Sequence, residues 1–374
     1  MSFKKDKNIT FFAMKPNVGK INKVETPFEL SERNKLVFRA VVQLYITSAQ
    51  PVGSRLVARY LGNRLKLSPA SIRNILYELE EMDLLHQTHA SSGRIPTDKG
   101  YRYFIDSLLV QRKPTEKEIR KIQEELNKIE PTNFDDILKT ASKVLGVLSK
   151  YLSIVIVPEI QDITVEKIEL IPITSNRLLF VLALNSNIIH TLTIDANIDV
   201  EEDQIEKVSQ FVNEKISGKT LRFIYENFSD LFAVSEYQDS PIIKLIINIF
   251  DKIQENLQDY ERTFIAGARN LLLYPEFQNP DHIKNMITIL ENTQTILNVI
   301  NQFKKNNPNL TVLIGSETGN ELLLDYSIIA SPYWIRNATG YIGLLGPKRM
   351  NYPKVITLVE LISNYLSQSF ARIC

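Results

Sequence analysis

Ser68, Ser71, Arg73, Asn74 and Tyr77 place two hydroxyls, a guanidinium, an amide and a phenol in one short stretch, SPASIRNILYELEEMDLL. Their shared chemistry is hydrogen bonding to a polar edge. An Asn pairs in bidentate fashion with adenine and an Arg with guanine, and a phenol can flank either contact. The stretch predicts a helix that would present them together. Ser68 suits the cap, and Pro69 suits the first helical position, where no N–H is needed. Ile72, Ile75, Leu76 and Leu79 then share one face, while Ala70, Arg73, Asn74 and Tyr77 share the other. Glu78, Glu80, Glu81 and Asp83 gather at the far end, away from a polyanion docked at the start. A polar helix face is by default merely solvated, so the neighbouring elements decide what this one does.

Upstream, Ser31 can cap a helix with Leu36, Val37, Ala40, Val41 and Leu44 on one stripe, which the segment SAQPVGS breaks at Pro51 and Gly53. A short helix with Leu56, Val57, Tyr60 and Leu61 follows, and Gly62 is a plausible stop. Downstream, LLHQTHASSGRIPTDKGYRYF reads as strand, loop, strand, then a helix capped by Thr97. Three helices and a hairpin predict a winged helix-turn-helix, whose third helix enters the major groove with its N-terminal residues on base edges. Ser71, Arg73, Asn74 and Tyr77 are the expected base readers. Ser68, Arg55, Arg59, Arg64, Lys66, Arg94, Lys99 and Arg102 are the expected holders of the phosphate backbone.

Charge supports a polyanionic partner for this part of the chain. Residues 1–105 carry 17 Lys and Arg against 9 Asp and Glu, whereas the remainder is net acidic, although the whole chain is only +1. The 374 residues, 44% of them hydrophobic, suffice for two or three domains. Cys374 is the sole cysteine, which excludes an internal disulfide and fits a reducing, cytoplasmic setting. No apolar run approaches a membrane span, and ITFFAM is too short for the core of a signal peptide. Residues 1–29 read as a basic mobile tail.

Beyond residue 107, a charged linker with some helix, punctuated by Pro114 and Pro131, reaches to 133. Ile137, Leu138, Ala141, Val144, Leu145 and Leu148 mark a packed helix. LSIVIVP, VEKIELIPI, RLLFVLAL and IIHTLTID read as a meander of four strands; 199–309 reads as mostly helical; strands return from 310, before a last helix. Strands, a helical interruption, more strands and a closing helix predict one α+β domain carrying an insertion.

Three blocks carry a resemblance. LSERNKLVFRAVVQLYITSAQPVGSRLVARYL, SPASIRNILYELEEMDLLHQTHASSGRIPTDKGYRYFID and GYIGLLGPKRMNYPKVITLVELISNYLSQ together resemble the bacterial heat-inducible transcription repressor HrcA family, over about residues 30–374. The resemblance implies a GAF-like α+β domain in two parts, 134–198 and 310–374, interrupted by a mostly helical inserted dimerisation domain at 199–309. It also implies an inverted-repeat operator in double-stranded DNA upstream of chaperone operons, a homodimer, and a chaperonin partner that keeps the repressor active until heat diverts it. The chain would then be cytoplasmic, and nucleoid-associated when bound. Apolar positions in IIKLIINIF and ILNVI are candidates for the dimer contact.

Other signals point less far. His86 and His89 have a His-x-x-His spacing but lack further zinc ligands nearby. IGSETGN lacks the Lys-Ser/Thr of a phosphate-binding loop, and GPKRM reads as the link from the last strand to the last helix. No nucleophile–base constellation stands out, so neither an enzyme nor a cofactor is expected. The expectation is therefore a DNA-binding repressor. A metabolite-gated regulator using the GAF-like domain is the alternative, and a protein-interaction module a third reading.

Overall fold

The computed structural model describes residues 28–62, 65–89, 92–110, 112–126, 128, 134–158, 163–174, 177–184, 188–195, 202–232, 241–258, 263–304, 309–335 and 338–373. It is a mixed α and β structure. Most of the expected tail, and Arg64, lie outside these residues.

The first unit is helical. α1 spans Glu32–Ser48, α2 Ser54–Leu61 and α3 Pro69–Glu81. Ser31 accepts from the Asn34 N–H at 3.2 Å and caps α1. The strands β1 (Leu85–Gln87) and β2 (Arg94–Pro96) pair antiparallel. Arg94 also exchanges two backbone hydrogen bonds of 2.9 Å with Val52, in the turn between α1 and α2. That close approach requires Gly93, since any side chain there would collide with the backbone of Pro51 and Val52. Thr97 accepts from the Gly100 N–H at 2.9 Å and caps α4 (Asp98–Tyr103), which widens into a π turn over Phe104–Leu108. Phe28 stacks on Tyr103 with ring centroids 5.4 Å apart, and Leu30 is buried. The expected mobile tail therefore ends earlier than 29: an aromatic partner fixes Phe28.

α5 (Glu116–Leu126) and α6 (Phe134–Ser149) lead into β3 (Leu152–Ile156). The next three strands, β4 (Val165–Thr174), β5 (Arg177–Leu184) and β6 (Ile188–Asp195), form a separate antiparallel sheet in the order β4-β5-β6. Its inner residues, such as Ile168, Phe180 and Leu182, share a core with α7 (Glu202–Ile216), α8 (Leu221–Glu226), α9 (Phe228–Phe232) and α10 (Pro241–Gln258). The chain then returns through β7 (Thr263–Ala266), which pairs with β3. α11 (Ala268–Leu271), α12 (Pro280–Glu291) and α13 (Gln294–Lys304) precede β8 (Thr311–Ile314), β9 (Tyr326–Ile335) and β10 (Ala338–Pro347). The large sheet has the order β7-β3-β10-β9-β8, all antiparallel. α14 (Tyr352–Ile373) lies against it, burying Val355, Leu358, Val359, Ile362 and Leu366.

Three expectations change. The four-strand meander is split, because β3 pairs with β7 and β10 while β4–β6 stand in their own sheet. Strand β7 falls inside the stretch expected to be helical; four residues are too few for periodicity to reveal. The candidate dimer contacts Ile242, Ile243, Ile246, Ile249 and Phe250 are internal core, as are Ile296, Leu297, Val299 and Ile300.

The cores are unequal in reach. One contiguous core runs from Leu30 through the first helices and α4 into the large sheet and α14; the second is confined to β4–β6 and α7–α10, touched by Ala338. Among the described residues, no helix is long and apolar enough to cross a membrane.

Candidate nucleic-acid interface

The N-terminus of α3 is built from its own sequence. Ser68 accepts from the Ser71 N–H at 3.1 Å, and the two hydroxyls lie 3.0 Å apart. Pro69 follows at the first turn. Ile72, Ile75, Leu76 and Leu79 are all buried, which fixes the rotation of the helix. Arg73, Asn74 and Tyr77 consequently face outward, Tyr77 with 59% of its surface exposed. Arg73 and Asn74 have no hydrogen-bond partner among the described residues. Ser71 is half-buried and tied to the cap. The helix start also offers an anion the positive end of the helix dipole, although Pro69 has no N–H and those of Ser71 and Ile72 are bonded to Ser68. Arg55, Arg59, Lys66 and Ser68 are exposed around this face. His86 and His89 are exposed on the hairpin segment.

Three of the expected phosphate holders are occupied elsewhere. The Arg94 side chain, only 11% exposed, donates from Nε and Nη2 to Glu80 at 3.2 and 2.9 Å. Lys99 donates from Nζ to the Met82 carbonyl at 2.8 Å and lies 5.5 Å from the Phe28 ring. It therefore stabilises the C-terminal end of α3, about 20 Å from the N-terminal end of a helix of that length. Arg102 is 7% exposed and faces inward. It donates to both carboxylate oxygens of Glu317 and to the Val312 carbonyl, with Asp106 3.5 Å away. Burial works against its charge, but the hydrogen bonds and charge of Glu317 outweigh that and hold its pKa above the ordinary arginine value.

Around Arg102 lies a seam that the residue types alone do not reveal. Asp98 receives Lys348 Nζ at 2.7 Å, the Ser316 N–H at 3.0 Å and the Ser316 hydroxyl at 3.1 Å. Gly315, at φ +49°, leaves no room for a side chain beside Asp98. Arg349 donates to the Ile46 carbonyl in α1 at 3.1 Å and also to Glu276. The motifs IGSETGN and GPKRM, neither expected to carry a role, thus bind the N-terminal unit to the rest of the chain. The available signal was a mismatch: buried-face spacing of Tyr101 and Ile105 around a charged Arg102.

A family model described as the HrcA protein C terminal domain matches residues 135–356. The heat-inducible transcription repressor HrcA of Chlorobium phaeobacteroides strain BS1 is 33% identical over 351 residues, 92% of this chain and 99% of the relative. That of Carboxydothermus hydrogenoformans is 33% identical over 344 residues, 91% and 98% of the two chains. A crystal structure described as a hypothetical protein superposes with a TM-score of 0.57 at 22% identity, over 92% of this chain and all of that one, and so shares the fold.

Proposed function

This chain belongs to the heat-inducible transcription repressor HrcA family, and from that premise we propose that it represses transcription by docking the N-terminus of α3 in the major groove of an operator. The supporting observation is the outward, unpartnered pair Arg73 and Asn74 at a capped helix start, with Tyr77 one turn on. In this reading residues 30–107 form a winged helix-turn-helix. Asn74 reads adenine, Arg73 reads guanine, and Ser71 and Tyr77 flank them. Ser68, Arg55, Arg59, Arg64 and Lys66 hold phosphates.

An inverted-repeat operator calls for two copies, since one module reads one half-site and linkage raises the effective concentration of the second. Among the described residues, Ile171, Ile173 and Ile189 on the outer face of β4–β6 are apolar positions open to a second copy, whereas Ile242, Ile243, Ile246, Ile249 and Phe250 in α10 and Ile296, Leu297, Val299 and Ile300 in α13 are internal. In place of 134–198 and 310–374 around an insertion at 199–309, the sheet pairings favour a GAF-like unit of 134–157 with 263–373 and an inserted unit of 163–258 that pairs the copies. Continuity of the large core from α1 to α14 supports a heat response: partial melting of the body removes packing from the reader. With a folding margin of a few kcal/mol, a loss of about 1–2 kcal/mol lowers the active fraction several-fold, and a chaperonin in the cytoplasm would restore it.

A gel shift with an inverted-repeat promoter fragment tests the reading. Retarded complexes at concentrations where random duplex stays free are expected. Equal retardation of both duplexes would refute sequence-specific repression. Purified protein should lose operator binding on mild heating and regain it with chaperonin.

A further inference from the structure

Arg94 is the residue whose expected role fails most informatively. It heads β2, and its backbone N–H and carbonyl are both paired with Val52 at 2.9 Å. Its partner across the hairpin is Gln87. Its side chain leaves this fixed point and reaches α3, where Glu80 takes both hydrogen bonds. The guanidinium carbon then lies 6.0 Å from the centre of the Tyr77 ring. Tyr77 and Glu80 are one turn apart on α3, so one cation bridges them both.

We infer that Arg94 is a positioning residue for sequence recognition: held by Val52 and Glu80, it backs the Tyr77 ring and sets the phenol beside Asn74 on the reading face. This rests on the α3 reading above. Tyr77 is mostly exposed, and an exposed phenol alone on a helix samples several rotamers. A cation near the ring selects among them. The same contact pairs the Glu80 carboxylate within the protein. Arg94 thereby serves recognition without touching DNA. A phosphate contact and a positioning contact make different demands. Removing a phosphate contact weakens all duplexes equally and lowers the salt dependence by about one ion. Removing a support for Tyr77 weakens only the preferred duplex.

The test uses the full chain and duplexes that the wild type selects from a randomised pool. Affinities for selected and scrambled duplexes are measured across salt concentrations for the wild type, Arg94→Gln, Tyr77→Ala and the double variant. Arg94→Lys is included as the conservative change, and thermal unfolding confirms that each variant is folded at the assay temperature. Arg94→Gln should reduce discrimination roughly 3- to 20-fold, the range of a partly desolvated cation–ring contact, with the salt slope unchanged. The double variant should discriminate no worse than Tyr77→Ala, because Arg94 acts through that ring. Arg94→Lys should recover part of the loss. Losses that multiply in the double variant would overturn the inference, and so would a salt slope lowered by about one with equal loss on both duplexes. If the wild type enriches no sequence from the pool, the α3 reading itself fails and this inference falls with it.

Discussion

The outward face of α3 and the inward face of α4 both carry arginine, within one small unit, and they use it differently. Arg73 stands in solvent beside Asn74, with no acid engaged. Arg102 is buried and surrounded by Glu317, Asp106 and the Val312 carbonyl. The first arrangement leaves donors available to a ligand. The second exhausts them, and turns a basic residue into a fastener between the first hundred residues and the body. A count of positive charge in this unit therefore overstates what faces DNA, because at least Arg94, Lys99 and Arg102 are internally engaged.

The contrast breaks most readily at its buried side. Arg102→Met should cost about 3–5 kcal/mol in denaturant unfolding, since it strands the buried Asp106 and the half-buried Glu317. Arg73→Met should stay within about 0.5 kcal/mol, as expected of a solvent-facing position. Equal effects would erase the distinction between the two faces. A buried carboxyl with an unpaired oxygen gives the next largest effect. Glu360 in α14 is 9% exposed, its Oε1 has no hydrogen-bond partner among the described residues, and burial pushes its pKa from 4.5 up to about 7. The folded protein then holds a proton that the unfolded chain has released, so stability falls as pH rises from about 4.5 through 7. Glu360→Gln should flatten that slope and add up to about 3 kcal/mol above pH 7, read from unfolding at pH 5 and pH 8.

Smaller effects lie on the proposed reading face. Asn74→Ala should lower the preference for operator over random duplex by about 1–3 kcal/mol with little change in stability; intact preference would move the reading face elsewhere. The smallest difference separates two exposed cations. Arg59→Ala should flatten the salt dependence of binding by about 0.9 on a logarithmic scale, whereas Lys99→Ala, tied to Met82 at the far end of α3, should leave it unchanged.

Much of the first unit was legible because its signals are local. The caps Ser31, Ser68 and Thr97 each bond within three residues, and the stripe from Ile72 to Leu79 repeats within one helix. Strand identity was legible for the same reason, since a run such as RLLFVLAL alternates regardless of its neighbours. Strand partnership was not. VEKIELIPI follows LSIVIVP closely in sequence, yet the two belong to different sheets, and TFIA joins β3 from across the whole insertion. The apolar run IIKLIINIF showed burial without saying whether the partner was the same chain or a second copy.

The amino-acid order alone settled where α1, α3 and α4 begin, which side of α3 is apolar, and that an amide and a guanidinium share its other side. Those properties depend on contacts a few residues apart. Tertiary structure decided which cations remain free. Arg102 finds Glu317 at a separation of 215 residues, and Asp98 finds Lys348 at 250. An ion pair acts through distance in space and desolvation, and neither is defined until the chain has folded.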